Sequence, residues 1–159
     1  MPKIISFSWT SPALITDNKS CTRRDWDPDY AETFRTGQIL YAYDRSPRAH
    51  GNRIATIQLK QQPVWQPLNE MPDDDYVNEG FAWMFAHPDV LPKTIEQTPR
   101  DHFVRSVCSR EGFERWRQSG EFMWTIRFAL IELTEEGHKQ KAMIAGILAA
   151  LGQTPVSTH

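Results

Sequence analysis

The segment Lys19-Ser20-Cys21-Thr22-Arg23-Arg24-Asp25-Trp26 holds an amine, two hydroxyls, a thiol, two guanidinium groups and an indole. No other stretch of the chain is as dense in chemistry. A lysine three residues before a threonine can bring a proton carrier beside a hydroxyl, and the arginines supply the planar fork that suits phosphate or carboxylate. Taken alone the pattern is weak, because an exposed turn lysine and an ordinary strand threonine share that spacing. Cys21 and Cys108 are far apart and in no paired spacing, so neither a disulfide framework nor a thiolate zinc site is expected. His50, His87, His102, His138 and His159 lack the i, i+4 spacing of a catalytic metal site. Neither GxGxxG nor GxxxxGK[ST] occurs, so no metal, no cofactor and no P-loop or dinucleotide chemistry is expected.

A length of 159 residues favours one domain with one real core. The formal charge of -2 makes the whole molecule no magnet for nucleic acid, so any attraction must come from local patches. Charge is sorted along the chain. Arg45, Arg48, Arg53 and Lys60 follow one another with no acid between them, whereas Glu70 to Glu79 holds Asp73, Asp74 and Asp75 with no base. Arginine outnumbers lysine twelve to six, a bias toward planar recognition. Pro12 and Asp17 interrupt the apolar N-terminal stretch before a signal-peptide core or a spanning helix forms, so a soluble cytoplasmic protein with no membrane partner is expected.

The elements that must position these groups follow from periodicity. Ile5, Phe7 and Trp9 alternate with serines as a half-buried strand, and Ser11-Pro12 opens a short helix to about Asn18, leaving Lys19 where the helix gives way. Cys21 to Trp26 reads as a strand, with Arg23 and Arg24 on opposite sides and Arg24 on the side of Thr22. At most one of the two arginines is then expected in a cleft. Asp27-Pro28 starts a helical turn through Phe34, ended at Thr36-Gly37, and Gln38 to Tyr43 and Ile54 to Leu59 alternate as strands around a basic loop. A helix is expected over about Asp75 to Phe85, carrying Glu79, and another over about Arg100 to Gln118 that buries Phe103, Val107, Phe113 and Trp116. Phe122 to Leu130 alternates over the longest strand. Thr134 then caps a helix whose Met143, Ile144, Ile147, Leu148 and Leu151 form one stripe, for the core or for a homodimer seam, with Gly152 beyond it. Short strands with intervening helices argue for an α+β fold around a small curved sheet or barrel.

The order of features resembles an ASCH domain of the PUA-like β-barrel group. The resemblance rests on Ala13-Leu14-Ile15 followed by Lys19-x-x-Thr22 with Arg24, on the Thr36-Gly37-Gln38-Ile39 turn into a strand, on Glu79-Gly80-Phe81, and on a closing strand near Trp124 to Leu133. It implies a single domain over 1–152 built as a small curved β-barrel with surrounding helices. The chain departs from a compact member in a helical insertion at about 85–120 and an added C-terminal helix over 134–152, and 153–159 reads as a frayed tail. It further implies RNA or nucleotide binding, and in compact bacterial members hydrolysis of the amide of N4-acetylcytidine without a metal. Lys19, Thr22 and Glu79 match the lysine, threonine and glutamate of those enzymes. The glycine usual before the lysine is replaced by Asp17-Asn18.

Amide hydrolysis needs a nucleophile, a proton carrier and donors for the oxyanion. In one arrangement Thr22 attacks, Lys19 takes its proton and Glu79 helps protonate the leaving group. A lysine half neutral at pH 7 then costs roughly 4 to 5 kcal/mol relative to its ordinary titration near ~10.4. In the other, Lys19 stays cationic and polarises the carbonyl while Glu79 activates water. Arg24, Trp26 and Tyr43 are the candidate substrate-binding residues, the aromatics for stacking on a base. Arg45, Arg48 and Arg53 are the candidates for phosphate. The partner is therefore a modified pyrimidine nucleoside or single-stranded RNA. The alternative is a non-catalytic RNA-binding module using the same cleft and the basic loop, and RNA cleavage is a weaker third reading.

Overall fold

The structure is a computed structural model that describes residues 1–90 and 106–153. The expected first part of the Arg100–Gln118 helix, with Phe103, and the tail beyond Gln153 lie outside the described residues. Six strands form the sheet: β1 (Lys3–Ser6), β2 (Cys21–Arg24), β3 (Ile39–Tyr43), β4 (Arg53–Leu59), β5 (Val64–Pro67) and β6 (Phe122–Leu133). Between and after them come α1 (Ser11–Ile15), α2 (Pro28–Ala31), α3 (Asp75–Asn78), α4 (Phe81–Ala86), α5 (Arg110–Gln118) and α6 (Glu135–Ala150). The fold is α+β, with the sheet curled into a half-barrel. Among the described residues no helix is long and apolar enough to cross a membrane.

The long strand organises the sheet. Residues Phe128 to Leu133 of β6 pair antiparallel with β4, and Phe122 to Thr125 pair with β5, so β4 and β5 lie end to end along one edge of β6. Its other edge takes β2, with Thr22 opposite Ile126 and Cys21 opposite Arg127. β3 joins β4 antiparallel and β1 joins β3 parallel, which gives the order β1-β3-β4-β6-β2. Register shifts at Ala42/Tyr43 and Thr56/Ile57 bend the strands. The two end strands face each other across the opening of the curl, where Arg24 Nη2 donates to the carbonyl of Ser6 at 2.7 Å. Inside the curl Phe7 meets Phe128 edge-on at 5.5 Å, beside Leu14, Leu40, Ile57 and Ile126.

Several expected bounds move, each for a local reason. The first strand stops at Ser6, because Ser8 turns the chain at φ +49° into a 3-10 turn over Ser8–Thr10. β5 escapes periodicity because prolines stand at Pro63 and Pro67. The single helix expected from Asp75 to Phe85 is two, broken at Gly80 with φ +85°. The C-terminal stripe also divides. Thr134 caps α6 by accepting from the Gly137 amide at 3.1 Å, but only Ile144 and Leu148 are enclosed, while Met143, Ile147 and Leu151 form a neighbouring exposed ridge.

Gly80 allows the close approach on which the site depends. A Cβ there would stand 2.8 Å from Ala13 Cβ and 3.2 Å from Lys19 Cβ, in a left-handed conformation that other residues reach at a cost. Gly37 has a similar φ of +82°, but a Cβ at that position would meet nothing within 4 Å. Gly80→Ala is expected to lower unfolding free energy in urea by about 2 kcal/mol or more, against about 1 kcal/mol for Gly37→Ala. Equal losses would mean that the contact with α1 and Lys19 carries no strain.

Candidate functional site

Lys19 is delivered by a tightly turned segment. The Thr16 hydroxyl bonds back to the Pro12 carbonyl at 2.7 Å and ends α1, and Asp17 takes the left-handed conformation at φ +61° that aspartate tolerates. The Asn18 amide then bonds the Ala13 carbonyl at 2.7 Å, and the Ser20 amide bonds the Asn78 carbonyl at 2.8 Å. The Phe128 amide closes the staple on the Ser20 carbonyl at 3.0 Å. Lys19 therefore points inward, 2 % exposed, donating from Nζ to the Cys21 carbonyl at 2.7 Å and to the Glu79 carbonyl at 2.8 Å. Nζ also lies 3.8 Å from Glu79 Oε2. Glu79 stands at the C-terminal end of α3 and is itself 2 % exposed, not the solvated helix residue that its neighbours suggest.

Around this pair the chain buries a charge network. Cys21 and Arg23 share one face of β2, and the pairing of Cys21 with Arg127 puts that side chain on the same face. Both arginines converge on Asp75, which is fully buried. Arg23 Nη2 donates to Oδ2 at 2.6 Å, and Arg127 forks onto Oδ1 at 2.9 Å and Oδ2 at 2.8 Å. Asn78 Nδ2 adds a bond to Oδ1 at 3.0 Å. Arg23 Nη1 then reaches Glu79 Oε1 at 3.3 Å, linking the two carboxylates. Burial pushes the Asp75 carboxyl up, but the bonds from Arg127, Asn78 and Arg23 outweigh it and hold it below the ordinary range. For Lys19 burial dominates. It lowers the amine well below its usual value, against the pull of Glu79 and with the push of Arg24 and Arg23. Burial, with Glu79 close by, raises the Cys21 thiol to about 12, so it remains a protonated thiol.

Lys19, Thr22 and Glu79 all line one cleft of about 750 Å³ at the opening of the half-barrel. Both Arg23 and Arg24 reach it, where alternation allowed only one, from β2 at the open end of the strand order. Arg45 and Ser46 bring the basic loop to its rim. The other sequence candidates lie elsewhere. Trp26 stacks on Phe34 at 4.6 Å, and its carbonyl accepts the Trp124 indole N–H at 3.1 Å. Tyr43 is a half-buried residue of β3. Arg53 lies over the Tyr41 ring at 3.5 Å and donates to Thr56 Oγ1 at 2.8 Å, while Arg48 is exposed on the 3-10 turn Pro47–Ala49. The aromatic wall comes instead from Trp9, Phe81 and Trp116, with Trp9 stacked parallel on Phe81 at 5.8 Å. Asp75, Arg127, Trp9 and Trp116 are not legible in the residues alone as site groups. The one sequence signal for them is the run of aspartates opposite an arginine-rich strand. Among the described residues no group of three or more His, Cys, Asp or Glu side chains could hold a metal ion.

Comparison with known proteins yields no matching family model and no matching curated protein. A similar solved structure is that of protein EF3133 from Enterococcus faecalis V583, of the family DUF984. It superposes with a TM-score of 0.51 over 85 % of this chain and 83 % of that one, at 11 % identity. The likeness is one of fold. It covers most of the chain, so the architecture around the cleft is one that another sequence also adopts.

Two titrations should appear in the stability of the chain. The Asp75 carboxyl is held below its unfolded value of ~3.9, so its contribution is full above that pH and is lost as pH falls through the lower folded value. Lys19 works in the opposite window. Its folded value is depressed, so the unfolded chain binds more protons and stability rises with pH up to ~10.4. Urea unfolding should show a steep acid loss that Asp75→Asn reduces. In the alkaline range the Lys19 rise opposes a fall from the raised Cys21 and Cys108 thiols, so Lys19→Met should make the alkaline loss steeper. Asp75→Ala, which leaves Arg23 and Arg127 without their shared partner, should cost about 3 to 5 kcal/mol.

Proposed function

We propose that the chain is an ASCH-type, PUA-like barrel whose cleft receives a modified pyrimidine nucleoside and hydrolyses an N4-acyl cytidine amide. The observation that carries this reading is the meeting of Lys19, Thr22 and Glu79 on the wall of one cleft, although Glu79 is distant in sequence. The volume of about 750 Å³ lies within the range of small-ligand sites. Arg24 and Arg45 bring cations toward a sugar or phosphate, and Trp9 and Trp116, backed by Phe81, bring indole rings toward a base.

The chemistry follows from the state of Lys19. Two carbonyls take two of its N–H groups, the number a neutral amine has to give, and burial favours that neutral form. Its lone pair then accepts the proton of the Thr22 hydroxyl as Oγ1 attacks the acyl carbon. No direct hydrogen bond joins Nζ to Thr22, so the proton crosses through water or after a small closure on the ligand. Collapse of the tetrahedral intermediate breaks the C–N bond, and the cytosine N4 amine leaves with a proton from the Lys19–Glu79 pair. Water then hydrolyses the Thr22 ester, releasing the acid and restoring the hydroxyl.

N4-acetylcytidine should be turned over to cytidine and acetate, with Lys19→Ala and Thr22→Ala each lowering kcat/KM by at least about 100-fold, the scale of a lost proton carrier or nucleophile. Absence of turnover, or variants equal to the parent chain, would remove the enzyme reading. The binding-only reading draws on Arg45 and Ser46 at the rim. It requires salt-dependent binding of single-stranded RNA that Arg45→Ala or Arg48→Ala weakens and Thr22→Ala leaves unchanged.

A further inference from the structure

Beside the cleft lies a second cavity of about 390 Å³, and Ser8, Trp9 and Arg45 stand in the walls of both. The chemistry changes across that partition. The cleft mixes hydroxyls, carboxylates and cations with aromatic rings, whereas the apolar side of the second cavity is Pro12 of α1, Val90, and Met143, Ile144 and Ile147 of α6, facing a polar side of Ser11, Asp44 and Gln140. Part of its polar rim is already engaged within the protein, with Arg45 left at the boundary it shares with the cleft. Gln140 Nε2 donates to Asp44 Oδ2 at 3.0 Å, the Asn52 amide donates to Asp44 Oδ1 at 2.7 Å, and the Ser11 hydroxyl donates to the Ser8 carbonyl at 2.5 Å. Against Pro12, Val90, Ile144 and Ile147 a polar edge would find no partner, which is costly, while hydrocarbon loses nothing there. Met143 and Ile147 remain 61 % and 38 % exposed, so covering them removes apolar surface from water.

We propose that this cavity is an acyl subsite, and that the preferred substrate carries a hydrocarbon acyl chain several carbons long that passes Trp9 and lies between α1 and α6. The inference rests on the amide-hydrolysis reading and names its substrate class. The space is far larger than an acetyl methyl needs, since one water occupies about 30 Å³ of liquid. Adjacency to the cleft across the shared wall of Ser8, Trp9 and Arg45 points to the occupant, because a chain attached at the reacting carbonyl is the part of such a ligand without polar groups of its own.

The test is an acyl series, N4-acetyl, N4-butanoyl and N4-hexanoyl cytidine. Each added methylene should raise kcat/KM by roughly fourfold until the cavity is filled. Ile147→Trp, at a partly exposed position that tolerates bulk, should bring the hexanoyl-to-acetyl ratio down to about one. A flat or falling series with acetyl turnover intact overturns the subsite and leaves the hydrolytic reading standing. If no acyl cytidine is cleaved, calorimetry with N4-methyl and N4-hexyl cytidine decides. Tighter hexyl binding that Ile147→Trp abolishes supports the subsite and removes only hydrolysis, and equal affinities overturn the subsite itself.

Discussion

A carboxylate with no exposure to water needs donors on both oxygens, and Asp75 obtains them from two different strands. Arg23 comes from β2 and Arg127 from β6, so the carboxylate locks the register of these strands to the short helix that carries Asp75. Two guanidinium groups, one amine and two carboxylates gather there once Lys19 and Glu79 are included. A network of this kind is weak evidence for stability, because desolvation offsets most of the Coulomb attraction. Its consequence is positional. Glu79, one helical turn beyond Asp75, can sit only where Arg23 Nη1 meets its carboxylate and Lys19 meets its carbonyl.

The half-barrel supplies the opening against which that network is built. β1 and β2 do not pair, and beside the gap between them Thr22 and Arg23, which alternation separates, line the same cleft. Thr22 arrives from one face and Arg23 from the other. Gly80 makes the remaining contact possible by letting α3 and α4 turn against α1 without a side chain in between. The result is a polar floor under an aromatic wall of Trp9, Phe81 and Trp116.

Lys19 is the residue whose burial stability alone does not explain. An amine held below its usual value beside a carboxylate, on the wall of a cleft, combines the perturbations typical of proton-transfer sites. Its two carbonyl partners satisfy the neutral form, and Glu79 Oε2 stands 3.8 Å away to receive the third N–H of the charged form. The carbonyls suit the neutral form and Glu79 favours the charged one, so the two sets of partners oppose each other at one amine. The cavity next door is more apolar, with Pro12, Val90, Ile144 and Ile147 on one side and the Gln140–Asp44 bond on the other.

Local rules made much of the framework legible in the residues alone. Period-two alternation marks β3, β4 and the long β6, Thr134 and Gly152 bound the last helix, and the Lys19-x-x-Thr22 spacing marks the entrance to β2. These follow from propensity and capping, which act over a few residues. The burial of Asp75 and Glu79 was not legible, since a run of acids at a helix start looks solvated until a distant strand brings arginines to it. Nor was the choice of Trp9 and Trp116 over Trp26 and Tyr43 as cleft aromatics, because which face of a curled sheet meets the opening is decided by strand order. Sequence by itself determined which groups were available and which elements carried them. Tertiary structure alone decided which met, because pairing between strands more than a hundred residues apart sets both the burial of each charge and the partners that make it tolerable.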